Sequence, residues 1–119
     1  MKHYGLPIKL ILLNNDGYLS IKITQNTFFN GRYVASEKTS GVSFPNFEDV
    51  IKAYGLPYCS IRTNRDIQPT LNQFLSQDGP CVCEVFTDPN ETHEPKVMAK
   101  MGIDGKFIPG ELSDIKWVK

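Results

Sequence analysis

Nowhere does this chain hold an apolar run long enough to cross a bilayer; its longest unbroken aliphatic stretch is Leu10-Ile11-Leu12-Leu13. A surplus of charge is also missing. Thirteen lysines and arginines balance 13 aspartates and glutamates, which argues against a nonspecific nucleic-acid binder or a membrane-surface protein. The three cysteines, Cys59, Cys81 and Cys83, are an odd set that supplies no disulfide framework. His3 and His93 are the only histidines and no Cys-x-x-Cys pair occurs, so the spacing provides no zinc site. Cys81 and Cys83 instead flank Val82 in an apolar stretch, where a free thiol behaves as a small hydrophobe. A Gly-x-Ser-x-Gly elbow is absent, which leaves an autonomous hydrolase without its nucleophile motif. The chain shows no internal repeat and no low-complexity segment. Its N-terminal residues lack a signal-peptide pattern, and a cytoplasmic protein is expected. At 119 residues there is room for one domain with a modest core, marginal without help.

What the sequence does hold is an abrupt change of character near its start. The aliphatics of residues 8 to 13 stop in Asn14-Asn15-Asp16-Gly17. An unbroken aliphatic run suggests a strand covered on both faces, as in a parallel α/β sheet. Ligands of such sheets bind just beyond the carboxyl ends of the strands, where these four residues would lie. Asn15 offers a neutral carboxamide oxygen to a hard cation. Gly17 lets the backbone come close to a phosphate or turn its carbonyl towards a metal. The same residues are also ordinary turn composition, and Asp-Gly suits a hairpin. On composition alone, a polar turn and a metal-phosphate corner both stand.

The remaining elements follow from period and punctuation. A helix is expected over residues 18 to 29, with Ile21, Gln25 and Phe28 on one face. Its β-branched residues Ile21, Ile23 and Thr24 lower its helix preference and blur its end. Residues 30 to 44, rich in Gly, Ser, Thr and charge, have no period and read as a long loop. A second helix is capped by Asn46, favoured by Glu48 and Asp49 in its first turn, and ended by Gly55. Phe47, Val50, Ile51 and Tyr54 form its expected inward face. A short strand at 57 to 61 comes next. Asp66 caps a third helix with Ile67, Leu71, Phe74 and Leu75 inward and Pro69 in its first turn. Gly79-Pro80 ends that helix, and residues 81 to 86 form the last buried strand. The order β-α-loop-α-β-α-β predicts an α/β fold: a small, mainly parallel sheet flanked by helices in three layers, with right-handed crossovers. Beyond Asp88-Pro89 the chain turns polar and punctuated. Met98, Met101, Ile103, Phe107 and Trp117 are its candidate packing anchors.

The Asn-Asn corner resembles the second half of the thiamine-diphosphate motif in the acetolactate synthase and pyruvate decarboxylase superfamily. The blocks that follow are similar in the same order: Gly17-Tyr18-Leu19-Ser20-Ile21-Lys22, Thr24-Gln25, Phe28-Phe29-Asn30-Gly31-Arg32, Ser40-Gly41-Val42, Phe44-Pro45 and Ala53-Tyr54-Gly55. Asp78-Gly79-Pro80, Glu84-Val85, Asp88-Pro89 and Glu94-Pro95-Lys96 continue it. The strongest likeness is to acetolactate-synthase-like proteins of surface-polysaccharide pathways, over residues 6 to 96. The resemblance divides the chain into a partial thiamine-diphosphate-binding domain at 1–96 and an irregular tail at 97–119. It implies thiamine diphosphate and magnesium (Mg2+) as cofactors. Asn15 resembles the side-chain metal ligand and Gly17 the backbone-carbonyl ligand. Asn14, Asp16, Tyr18 and Leu19 fall at the diphosphate or behind the metal ligands, the amides opening the helix at Tyr18 suit the diphosphate, and Ser20 and Ile21 lie towards the thiazolium ring.

Two parts of that family's machinery have no counterpart. A Gly-Asp-Gly segment, source of the metal carboxylate, should precede the Asn pair, but Asn14 is too near Met1 for it. Asp78-Gly79 and Asp104-Gly105 lie downstream, in the wrong context. The glutamate that activates the aminopyrimidine belongs to a separate N-terminal domain. The chain is therefore expected to be the C-terminal part of one domain of a larger carboligase, inactive alone and with weak or undetectable cofactor binding. No residue is assigned a catalytic role. Two function classes follow: a partial cofactor-binding subunit completed by another chain, or a noncatalytic module that self-associates through its exposed sheet edge.

Overall fold

The computed structural model describes residues 1–91 and 94–115. A parallel three-stranded sheet is built from β1 (Lys9–Asn14), β2 (Tyr58–Ile61) and β3 (Cys81–Phe86), in the spatial order β1-β3-β2. Helices α1 (Leu19–Phe28), α2 (Phe47–Ala53) and α3 (Ile67–Ser76) lie between the strands in sequence. The α/β class, the element order and the parallel pairing are those expected. Strand β3 has a neighbour on each side, and Cys81 to Glu84 are buried. Its odd-numbered residues face α3. There Ile61, Phe74, Cys81 and Cys83 form the core, with Cys59, Leu71 and Val85 packed against it. The three cysteines are free, and burial pushes the Cys59 thiol up to about 11. Burial raises the Cys81 and Cys83 thiols as well, in keeping with a packing role.

Strand β1 departs from the expectation of a strand covered on both faces. Among the described residues it pairs only with β3, at the edge of the sheet, and Leu10, Ile11 and Leu13 are exposed, Leu13 to 64%. The aliphatic run correctly signals a parallel-sheet strand; whether neighbours cover it depends on chain segments that no local pattern encodes.

Helix faces also differ from the periodic reading. In α1 the buried residues are Leu19 and Lys22, while Ile21 is exposed. Polar contacts set this rotation. The Gln25 carboxamide donates to the Val34 carbonyl at 2.9 Å and accepts from the Ser36 hydroxyl at 2.8 Å, and Lys22 pairs with Glu37 at 2.9 Å. In α2 only Ile51 of the expected face is buried; Phe47 is half-buried, and Val50 and Tyr54 are exposed. The cap itself is as expected, with the Asn46 side chain accepting from the Glu48 N–H at 3.0 Å. In α3 Phe74 is buried and Leu71 half-buried, whereas Ile67 and Leu75 are exposed. Asp66 does not cap α3. Its carboxylate turns back to the Thr63 N–H and hydroxyl, at 2.9 and 2.8 Å, closing a 3-10 turn over Asn64–Asp66. Those bonds hold its carboxyl below the usual carboxylate range.

The long loop of residues 30 to 44 has no strand or α-helix, only a 3-10 turn at Lys38–Ser40. The contacts of Lys22 and Gln25 strap it along α1. Within the segment read as an irregular tail, β4 (Lys100–Met101) and β5 (Phe107–Ile108) form a small antiparallel pair. Phe107 meets Phe28 edge-on at 4.9 Å, an anchor as expected, though it stays half exposed. Met98, Met101 and Ile103 are exposed, and Trp117 lies outside the described residues. No helix among the described residues is long and apolar enough to cross a membrane.

Candidate functional site

The last residue of β1 begins the site. The Asn14 carboxamide points into the sheet, where its Nδ2 donates to Glu84 Oε1 at 2.5 Å. Its Oδ1 accepts the Asp16 N–H at 3.0 Å. One residue on, Asn15 Oδ1 accepts the Gly17 N–H at 3.2 Å. Two overlapping Asx turns thus fold the four residues into a corner, with Asp16 in the left-handed region at φ 53°. The chain passes directly from this corner into α1. No hairpin forms here: the hydrogen-bonded partner of β1 is the parallel strand β3.

Gly17 is needed for closeness. A Cβ built there would lie 2.8 Å from the Ser36 carbonyl oxygen. That carbonyl accepts the Tyr18 N–H at 2.8 Å, and Gly17 and Glu37 form an isolated antiparallel bridge. The Tyr18 amide, expected to open the helix towards a phosphate, is therefore already engaged. Helix α1 itself starts at Leu19, and no side chain caps it. Its first-turn N–H groups and its dipole point towards the corner.

Two clefts meet at Asn15. One, of about 200 Å³, is lined by Leu12, Leu13, Asn14, Asn15, Gly17, Tyr18, Phe44 and Phe47. The Tyr18 and Phe44 rings meet edge-on at 5.5 Å on its wall. The other, of about 410 Å³, is lined by Leu13, Asn15, Leu19, Thr87, Glu91, Glu94 and Pro95. Of the eight candidate residues, the structure thus brings Asn14, Asn15, Gly17, Tyr18 and Leu19 onto these two surfaces. Asp16, Ser20 and Ile21 are exposed and line neither.

Electrostatically the corner carries one exposed acidic side chain, Asp16, which lines neither cleft, and its cleft-lining Asn14, Asn15 and Gly17 are neutral. Asn15 Oδ1 has two lone pairs and spends one on Gly17, which leaves one for a hard cation. A carboxamide oxygen and a backbone carbonyl are suitable magnesium donors, so the residues present fit part of such a shell. Among the described residues, no three His, Cys, Asp or Glu side chains converge on a metal position. On the loop side, Lys22 Nζ lies 2.9 Å from Glu37 and 3.2 Å from the Pro89 carbonyl, at 7% exposure. The Glu37 carboxyl is held low by the Thr39 hydroxyl and then by Lys22. The Lys22 contacts join α1, the loop and the segment after β3.

Sequence reading missed the partners of Asn14. Glu84, only 3% exposed, takes Asn14 on one oxygen and the Tyr58 hydroxyl on the other at 2.6 Å. Burial and then the Glu84 bond push the Tyr58 phenol up to about 12. The available signal was a lone glutamate inside the apolar run of residues 81 to 86.

The family described as "Thiamine pyrophosphate enzyme, C-terminal TPP binding domain" matches residues 1–85. The acetolactate synthase of Arthrospira platensis is 32% identical over 94 residues, 79% of this chain and 16% of that protein. The large subunit of acetolactate synthase from Porphyra purpurea is 28% identical over the same share of each chain. The mitochondrial acetolactate synthase of Schizosaccharomyces pombe is 27% identical over 110 residues, 92% of this chain and 14% of that protein. The chain therefore spans about a sixth of the length of the relatives it matches.

Proposed function

Because this chain belongs to the thiamine pyrophosphate enzymes, as their C-terminal TPP-binding domain, we propose that residues 14 to 19 hold the diphosphate end of thiamine diphosphate through a magnesium ion. Asn15 Oδ1 and the Gly17 carbonyl are the metal ligands in this reading. The Leu19 and Ser20 N–H groups, at the uncapped start of α1, take diphosphate oxygens. Asn14, Asp16 and Tyr18 hold the turn in shape. Ser20 and Ile21, exposed one step further on, are open to the part of the ligand that extends towards its ring. When bound, the cofactor supplies the carbonyl chemistry of carboligation; the chain's share is to bind and orient it. The observation that carries this reading is the strand-to-helix corner, at the carboxyl end of a parallel strand, inside the stretch that matches the family.

The same donors support the view that the chain works as a part. Magnesium prefers a nearly octahedral oxygen shell containing a carboxylate, whereas the two ligands assigned here, Asn15 Oδ1 and the Gly17 carbonyl, are neutral and the Asp16 side chain lines neither cleft. A second chain carrying a Gly-Asp-Gly segment and an activating glutamate would complete it. In calorimetry the isolated chain should bind Mg2+ and thiamine diphosphate weakly or undetectably, and such a partner should restore both binding and turnover. Micromolar binding by the chain alone would refute its incompleteness; a folded mixture that never binds would refute the subunit role.

A second reading, a noncatalytic self-associating module, draws on β1. Its outer edge is unpaired among the described residues, and Leu10, Ile11 and Leu13 are exposed beside it. Sedimentation at tens of micromolar should then show dimers or larger species. A monomer throughout that range would remove this reading.

A further inference from the structure

Glu84 lies outside both clefts, yet it is the charged group on which the corner's geometry converges. A carboxylate at 3% exposure in a strand otherwise made of Cys81, Val82, Cys83, Val85 and Phe86 is costly unless both oxygens are satisfied. Here each oxygen has one short donor, Asn14 Nδ2 at 2.5 Å and the Tyr58 hydroxyl at 2.6 Å. Both donors are neutral, and they come from the two strands that flank β3.

The consequence for Asn14 is directional. A carboxamide has two ends of nearly equal shape and can turn over at small steric cost. An acceptor-only carboxylate admits only the NH2 end. Oδ1 is then aimed away from the sheet, where it takes the Asp16 N–H at 3.0 Å. That bond closes the first Asx turn, and the first turn sets where Asn15 and Gly17 begin.

We propose that Glu84, braced by Tyr58, is a positioning residue that locks the Asn14 carboxamide and thereby presets the Asn15–Gly17 turn before any ligand arrives. Its usefulness for cofactor binding rests on the function proposed above; the locking itself does not. A rigid turn spares a ligand the ordering cost that a floppy one would impose. Tyr58 has the narrower task of holding the second oxygen so that the carboxylate cannot rotate away from Asn14.

The test uses the full-length chain without cofactor, by NMR. In the parent protein the Asn14 side-chain NH2 should exchange slowly with solvent and resonate apart from the other asparagines. Glu84→Gln replaces an acceptor-only group by an amide with one acceptor and one donor end. It no longer excludes either end of the Asn14 carboxamide, while the Tyr58 hydroxyl can accept as well as donate. The substitution should speed exchange of the Asn14 carboxamide and the Asp16 amide at least tenfold relative to the Cys83 amide, which reports the core. Tyr58→Phe should act on the same two groups, more weakly, and serves if Glu84→Gln does not fold. Unchanged relative exchange at Asn14 and Asp16 in the folded variants would overturn the proposal. A second arm measures Mg2+–thiamine diphosphate affinity in the partner-completed complex, where Glu84→Gln should weaken binding about tenfold. Undiminished affinity beside faster exchange would refute the link to binding. If the parent complex fails to bind, the proposed function falls, and the exchange data still decide the role of Glu84.

Discussion

Replacing Asn14 with aspartate is expected to cost this protein about 3–5 kcal/mol at neutral pH, the range for leaving a buried charge without its partner. The parent NH2 group is 2.5 Å from Glu84 Oε1, and Glu84 is buried in the central strand. Asn14→Asp sets a second carboxylate in that place. Two such groups cannot both stay ionised there, so one must hold a proton or the turn must open. The sign of the pH effect follows. A shared proton raises a carboxyl pKa in the folded state above its unfolded value of about 4. Stability tied to that proton is present below the unfolded value and is lost as pH rises towards the folded one. Urea unfolding of Asn14→Asp should therefore show a small deficit near pH 4 and a large one at pH 8. Asn14→Ala, which removes a donor without adding charge, should lose about 1–3 kcal/mol, with a weaker pH dependence of the same sign. Equal, pH-independent losses in both variants would contradict the contact with Glu84.

Gly17→Ala tests the other side of the corner. The new Cβ would lie 2.8 Å from the Ser36 carbonyl oxygen, closer than such atoms approach, and a backbone atom cannot swing aside. Since Gly17 does not have a positive φ, left-handed strain is not the cause; the cost is contact alone. To relieve it the loop must draw back, which stretches the 2.8 Å bond between the Tyr18 N–H and Ser36. A loss of about 1–3 kcal/mol is expected, the range for overpacking a fitted site. Faster exchange of the Tyr18 amide should accompany it. An alanine variant as stable as its parent, with Tyr18 still protected, would show that the loop does not press on Gly17.

How much of this was legible beforehand depends on the range over which each feature is encoded. Element order, the Asn46 cap and the parallel class were readable because they rest on local spacing and on residues that start and stop helices. The corner was readable as well, both as a break in an aliphatic run and as a resemblance. Features set by distant residues were not. The exposure of Leu13 depends on what lies beside β1. The outward turn of Ile21 comes from Gln25 and Lys22 reaching the loop of residues 30 to 44. Asp66 looked like a helix cap by composition, but Thr63 offered it two donors in the opposite direction. The use of the Tyr18 amide needed Ser36, and the role of Glu84 needed Asn14 and Tyr58, 70 and 26 residues away.

The most direct test of the central claim follows a titration of the isotope-labelled chain with Mg2+ and thiamine diphosphate, residue by residue, into the millimolar range. Shifts are expected at Asn15, Gly17, Leu19 and Ser20 that require the metal and the diphosphate together. The Cys83 amide, within the core, should not move. Shifts gathered elsewhere, such as around Lys9 at the opposite end of β1, or shifts identical with thiamine lacking its diphosphate, would contradict that claim.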